Sequence, residues 1–398
     1  MVRVTDMTHG RPIRLILLFS LPLMLGSVFQ QLYTIVDTII IGRGVGMQAL
    51  ASIGAADWIN WLVLWGLQGF TQGFAILAAQ EFGAGAYDRL RRVLAMIVKL
   101  SCWFGIAVTV ISLLLVRPLL TLLHTDPAVF GGAQTYLYVQ FGGSLIIIAY
   151  NMAAAVLRCL GDSRTPLFAI IAASFANIAL DLLFVMGFGW GIFGASFATV
   201  LAQLIAFLLC LRSLRRLPFV QLTKADWKTD PAILLHLCRL GIPTGLQMSM
   251  ITLGGMVLQS VLNGFGVVFV AGYTAANKLY GILESASVAF GYAMTAYMGQ
   301  NRGARNAARI DAGIRAVLVL SAEFTAAIVT AMLVAGKPLL GLFLSTEEAG
   351  ATDALAVAYQ YLMVLMAFLF ALFMLQAYRS SLQGLGEMTV PTLSGFAE

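Results

Sequence analysis

Long apolar runs separated by short polar connections occupy nearly the whole chain. A helix needs about 20 mostly apolar residues to cross a bilayer. Ten segments meet that length, at residues 13–41, 50–79, 92–116, 133–159, 166–187, 191–213, 232–262, 269–299, 311–336 and 355–383. The pattern predicts an all-α polytopic membrane protein. Several runs are longer than a straight crossing requires, so tilts or kinks are expected. Pro22 and Pro243 lie inside the first and seventh segments. Each removes a backbone hydrogen bond and marks a candidate hinge.

Composition strengthens this reading. The 398 residues are 60% hydrophobic and 11% charged, against about 45–50% apolar and about 25% charged in a soluble domain. Mean hydropathy is +0.90. The net charge of +6 is therefore no sign of nucleic-acid binding; where the charges fall matters more. With the N-terminus in the cytoplasm, 19 of the 24 Lys and Arg lie on the inner side. Only Arg43, Arg117 and Lys337 lie outside, and Lys99 and Lys278 fall within apolar segments. The positive-inside rule then predicts a multi-pass protein of the cell inner (plasma) membrane with a cytoplasmic N-terminus. The run after Arg14 is too long for a signal peptide. Cys102, Cys159, Cys210 and Cys238 form no CxxC pair, and the three histidines are scattered, which argues against a zinc site or a disulfide framework.

Polar residues inside the apolar segments carry the chemistry. In QQLYTIVDTIIIG, residues 30–42, Asp37 has only apolar and hydroxyl neighbours. A carboxylate at membrane depth costs roughly 2.5–3.5 kcal/mol on insertion scales and marks a functional site by default. Gln30, Tyr33 and Thr34 lie seven, four and three residues before it, on one helical face. That stripe suits a proton or sodium site; the alternative is a protonated carboxyl bonding two helices together. Trp58, Trp61 and Trp65 form a second stripe, either an interfacial belt or a face for organic cations. Gln68, Gln72 and Asn151 are also polar at depth and contact either substrate or another helix. The second half carries Lys278 and Glu284 in the eighth segment and Glu323 in the ninth; Glu284 either lines the cavity or serves as a structural partner.

The chain repeats itself. Pro22 and Pro243 occupy matching places in the first and seventh segments. QEFGAGAYDR from Gln80 corresponds to QNRGARNAAR from Gln300, and LGDSRTP from Leu160 to LGEMTVP from Leu385. Three matches in one order at nearly one offset predict two parallel, pseudo-symmetric lobes, an architecture that places a binding site between them. The expected division is an N-lobe at 1–213 with six crossings, a cytoplasmic linker at 214–231 and a C-lobe at 232–398 with four. Two further helices, the eleventh and twelfth of a complete repeat, are expected to be absent.

These motifs together resemble the multidrug and toxic compound extrusion (MATE) transporters, in particular the DinF-like and MepA-like branch, over essentially the whole chain. The resemblance implies two six-helix lobes, here six helices plus four of an expected six. It also implies a monomer in the lipid bilayer that exports small organic cations against protons or sodium, without a cofactor. The family's N-lobe cation site carries over to Asp37, Asn177, Asp181 and Thr199, with sodium, where it is the coupling ion, held at Asp37, Asn177 and Asp181. Asn177 and Asp181 are four apart and share a helical face; a helix–helix hydrogen-bond pair would use the same spacing. Two adjacent carboxylates cannot both ionise cheaply. The acidic residues that the NorM branch carries in the seventh and tenth helices have no counterpart between Leu240 and Asn263 or between Ala354 and Tyr378.

Other functions fit less well. A lipid-linked sugar flippase would want arginines in the cavity for pyrophosphate, and no arginine is expected inside a helix core. A membrane enzyme would need a signature such as GxSxG or HExxH, and neither is present. An inactive, truncated transporter is the remaining alternative.

Overall fold

The computed structural model describes residues 4–343 and 351–398. Among them there are helices and no strands. The helices are α1 (Pro12–Gly44), α2 (Met47–Gly83), α3 (Tyr87–Leu122), α4 (Pro127–Gly142), α5 (Ser144–Cys159), α6 (Arg164–Asp181), α7 (Gly191–Arg215), α8 (Pro231–Leu262), α9 (Val267–Gly303), α10 (Ala307–Gly341), α11 (Ala351–Gly384) and α12 (Thr389–Ala397). Eight of these are long and apolar enough to cross a membrane. In this count α6 is taken with its π-helical continuation, Leu182–Gly187.

The fourth expected segment differs from a single helix. It breaks into α4 and α5, bent by 50°. The break falls at Gly142, Gly143 and Ser144, the type of sequence at which helices kink. Ser144 turns its hydroxyl back onto the Phe141 carbonyl at 2.7 Å, and a side chain at Gly143 would meet Val200 of α7 at 2.5 Å. The pair counts as one bent crossing, the ninth. The eighth expected segment, α9, is as long as α2 but carries Asn277, Lys278 and Glu284 and falls short of the same apolarity. Helix α12 takes the place in the second repeat that α6 takes in the first, directly after the LG turn. It is nine residues long, too short to cross a membrane. Pro22 and Pro243 each sit within a continuous helix.

The repeat is visible in the backbone. Gly161 and Gly386, at matching places in the two repeats, both adopt left-handed φ, +89° and +76°, a conformation glycine takes without steric cost. Each closes the preceding helix with the same bond. Asp162 N donates to Leu157 O and Glu387 N to Leu382 O, both at 2.9 Å. Each acid then caps the next helix. Asp162 accepts from the amides of Arg164 and Thr165 at 3.1 and 2.9 Å, and Glu387 accepts from Thr389 N at 2.9 Å. Hydrogen bonds from Thr389 hold the exposed Glu387 carboxyl below its ordinary range.

The lobes do not divide where the sequence does. Ile16, Phe19 and Leu23 of α1 are buried in the core of the second half, with Phe290 and Phe373. Ile40 and Ile41, at the other end of α1, are buried among first-half residues. Helix α8 mirrors this, with Ile233, Leu237 and Leu240 entering the core of the first half. Each lobe's first helix thus crosses to the other lobe at the arginine-rich end of the molecule, called the basic end below. The linker is pinned there. Lys99, expected inside a segment, donates to Trp227 O at 2.5 Å and Thr229 Oγ1 at 2.9 Å. Asp226 closes a capping box with Thr223 and lies 3.6 Å from Arg91. Burial alone would raise the Asp226 carboxyl, but its bonds from Thr223 and the nearby Arg91 and Arg92 hold it below its ordinary value.

At the basic end the backbones of the two lobes touch. A Cβ at Gly83 of α2 would land on the Gln300 carbonyl, and one at Gly303 of α9 would land on the Gln80 carbonyl. Further along α2, a Cβ at Gly73 would sit 2.6 Å from Leu240 O, and one at Gly69 would sit 2.6 Å from Thr244 O. Small residues allow this close helix–helix approach inside a membrane.

Candidate cation-coupling site

Helices α1, α6 and α7 meet in the half of the N-lobe away from the basic end. Asp37 comes from α1, Asn177 and Asp181 from α6, and Thr199 from α7. Asp37 and Asp181 face each other across the α1–α6 contact. Asn177 and Asp181, one turn apart, are 2% and 0% exposed. Buried polar atoms normally find partners, yet five here have none: Asp37 Oδ1, both Asp181 carboxylate oxygens, and both amide atoms of Asn177. Neither Asn177 nor Asp181 therefore spends its side chain on a hydrogen bond to a neighbouring helix. The Thr199 hydroxyl donates to Ala195 O at 3.2 Å, which leaves its oxygen able to accept or to ligate a cation. Asp37, Asn177 and Asp181 thus carry hard oxygen donors with unspent capacity, of the kind that suits a proton or an alkali cation.

Local structure supports the cluster. Immediately after Asp181 the helix widens into the π-helical turn Leu182–Gly187, closed by Phe188 N donating to Leu183 O at 2.9 Å. Such π turns recur at functional sites. Beyond it Phe184, Phe188, Trp190, Phe193 and Phe197 form a chain of ring contacts with centroids 5.0–6.0 Å apart.

The residues expected to line a substrate cavity separate into groups. Tyr33 lies near Asp37 and Asp181. Gln30 and Thr34 are exposed on α1, and the Thr34 hydroxyl donates to Gln30 O at 2.9 Å. Gln68 donates to Tyr292 Oη of α9 at 2.7 Å, across the lobes. Gln72, one turn further along α2, has a buried Nε2 without a partner. Asn151 is half-buried on α5. Glu284 belongs to the C-lobe, near Tyr280 and Glu398, apart from the Asp37 cluster. Trp58 stacks edge-on with Trp61 at 5.3 Å and lies 3.4 Å from a Cβ built on Gly255 of α8, so it packs between lobes, whereas Trp61 and Trp65 are exposed.

Several residues at the site escape the sequence pattern. Tyr136 of α4 lies near Asp37, Asp57 and Tyr33 and accepts from Asn60 Nδ2 at 3.2 Å; Asn60 Oδ1 is buried without a partner. Gln203 of α7, one turn after Thr199, has a buried Oε1 without a partner. Spacing carries a signal, since Asp57 and Asn60 are three apart and Thr199 and Gln203 four apart, each pair on one face. Two arginines also reach the interior, against expectation. Arg158 packs over the Tyr292 ring at 4.7 Å, between the lobes, and its Nε is buried without a partner. Arg379, 6% exposed, pairs with Glu398 at 2.6 Å. Both sit near the basic ends of their helices, where a side chain can reach inward from a position that reads as terminal.

The chain as a whole is similar to known proteins. A probable multidrug resistance protein of Bacillus subtilis, YpnP, is 34% identical over 368 residues, covering 91% of this chain and 80% of its own length. A second from the same organism, YoeA, is 27% identical and covers 87% of this chain and 76% of its own. Among solved structures, a MATE protein in complex with MaL6 superposes with a TM-score of 0.90 at 24% identity, over 100% of this chain and 88% of that one. An outward-facing MATE transporter of the MOP superfamily gives 0.89 at 24% identity, over 99% and 87%. The MatE family model matches residues 22–183 and 243–397, one block in each repeat. The chain belongs to the MatE family of multidrug and toxic compound extrusion transporters, whose members are transporters and not enzymes.

Proposed function

We propose that this protein is a secondary active multidrug exporter that exchanges small organic cations for protons or sodium by alternating access. The observation that carries the reading is the set of five buried, unpartnered polar atoms on Asp37, Asn177 and Asp181. Leaving such groups unsatisfied is costly, and a proton or sodium ion relieves the cost. The names of the relatives YpnP and YoeA, both probable multidrug resistance proteins, support the substrate class. The excess of arginine at one end supports a cytoplasmic N-terminus in the inner membrane.

The coupling follows from charge. With Asp37 and Asp181 unprotonated and free of sodium, the N-lobe interior is negative and attracts an organic cation, aided by the Tyr33 ring. Entry of a proton or sodium cancels that charge, bonds Asp37 to Asp181 and Asn177, and draws α1 toward α6. The drug then loses its electrostatic hold and leaves. Asp37 and Asp181 bind the coupling ion, Asn177 and Thr199 complete its oxygen shell, and Pro22 and Pro243 supply the weak points about which α1 and α8 bend.

The test is export of a fluorescent organic cation from proteoliposomes, driven separately by a proton and by a sodium gradient. Asp37→Asn is expected to lower gradient-driven export at least about tenfold, the loss of a single essential charge interaction. An Asp37→Asn protein exporting at the unmodified rate under both gradients would falsify the reading.

A further inference from the structure

A short segment ahead of α1, residues 4–10, runs between the lobes at the basic end. It is bonded to both. Thr5 N donates to Gly161 O of the first-half turn at 3.1 Å. Met7, with no exposed surface, donates its amide to Gln300 Oε1 of α9 at 2.8 Å. Its carbonyl accepts from Asn301 Nδ2 at 3.1 Å and from Arg309 Nη2 at 2.9 Å. Arg309 also donates to Gly10 O at 2.9 Å and to Asn301 Oδ1 at 3.0 Å.

The same place holds the repeat's own contact. Gln300 Nε2 donates to Cys159 O of the first half at 2.9 Å. Gln80 Nε2 donates to Gly384 O of the second half at 3.1 Å. The two donors open the matching QxxGA motifs, and the two acceptors directly precede the matching LG turns. These bonds are therefore a pseudo-symmetric pair between the two repeated motifs. The repeat supplies two symmetric latches, and the strap is an asymmetric addition. Gln300 joins them, using its amide nitrogen for the latch and its oxygen for the strap. A fully buried side chain satisfied at both ends in this way gives its two partners a shared fate, because losing either leaves a buried polar group unpaired.

We infer that residues 4–10 are the bolt of the gate at the basic end. Arg309, Gln300 and Asn301 act as positioning residues that hold it, and the bolt must leave its seat whenever the Gln80 and Gln300 latches part. This rests on the alternating-access reading, in which that end opens toward the cytoplasm. Opening requires release of a segment in only one half, so the strap is the natural place for the chain to set the rate of opening.

The test reads strap exposure directly and needs no export. Met7→Cys is placed in a full-length chain whose Cys102, Cys159, Cys210 and Cys238 are alanine. Reaction with a membrane-impermeant maleimide is timed from the basic side in liposomes, after size-exclusion chromatography has shown each variant to be folded. The parent is expected to react slowly. Arg309→Ala, which removes the clamp, and Gln80→Ala, which breaks the latch farther from the strap, are both expected to speed labelling at least about tenfold, as for any lowered cost of local opening. Fast labelling of the parent, or Arg309→Ala reacting at the parent rate, overturns the seating. Fast labelling with Arg309→Ala but parent-rate labelling with Gln80→Ala overturns the coupling of strap to gate. Substitution at Asp37 is left out, so the outcome is independent of the ion-site experiment.

Discussion

Single residues decide how closely the two lobes approach. At Gly83 and Gly303 the partner atom is a backbone carbonyl, which cannot swing aside as a side-chain end can. Adding one methyl group there forces α2 and α9 apart, and overpacking of this kind costs typically about 1–3 kcal/mol. Gly83→Ala is expected to lower the thermal midpoint in detergent by several degrees and Gly303→Ala to do the same. Gly131, in the interior of α4 with open space around its Cβ position, is the control. Gly131→Ala should hold or raise the midpoint, since alanine favours a helix over glycine by about 1 kcal/mol. Equal losses at all three sites would show that glycine acts at Gly83 and Gly303 for some reason other than close approach. The residues of the proposed ion site obey the same logic of proximity, and this is why they are legible in sequence. Asp37 stands alone in an apolar run, and Asn177 and Asp181 lie one turn apart. Tyr136 and Gln203 stay hidden because tyrosine and glutamine in a membrane helix are commonplace until their neighbours are known.

At the scale of elements, the repeated LG turns join each long helix to the next through one glycine and one acid. Asp162, 2% exposed, satisfies the first amides of α6 and accepts from the Thr165 hydroxyl at 2.5 Å. Removing the carboxylate leaves those donors unpaired, and loss of such a cap costs about 0.5–2 kcal/mol. Asp162→Ala is expected to speed hydrogen exchange of the Arg164 and Thr165 amides while leaving the interior of α6 protected; unchanged exchange at both would remove the acid's capping role. Sequence periodicity locates these elements well, because a continuous apolar run admits few structures other than a helix in lipid. It cannot see where a helix changes register. The α4–α5 break depends on the Ser144 hydroxyl and on Val200, which belongs to α7. The π turn after Asp181 packs Phe184 on Trp190, and neither feature leaves a mark in hydrophobicity.

For the whole molecule, the exchange of helix halves sets what the proposed rocking between lobes must break. A division of the sequence at residue 213 assigns α1 wholly to the first lobe, since hydrophobic pattern carries no information about which apolar partner a helix will choose. In the structure the basic half of α1 lies on α9, where the Ser20 hydroxyl is 3.4 Å from the Ala289 carbonyl, while its far half holds Asp37 against α6. The same helix therefore touches the proposed ion site and the opposite lobe. Binding of an ion at Asp37 that pulls α1 toward α6 strains its seat on α9, and Pro22, which lies between Ser20 and Asp37 in the chain, is where the strain can be released as a bend. Joining Ser20→Cys to Ala289→Cys with a short bifunctional thiol reagent, in a chain without other cysteines, ties α1 to the C-lobe at the gate. Export is expected to fall at least about tenfold on cross-linking and to recover when the linker is cleaved, because opening at the basic end is then blocked, while binding of a fluorescent cation from the opposite side is retained. Retained export after complete cross-linking would mean that the basic half of α1 travels with the C-lobe throughout the cycle. The moving contact would then be α2 against α8 and α9 alone, with Pro22 as the joint between a mobile and a fixed half of the same helix.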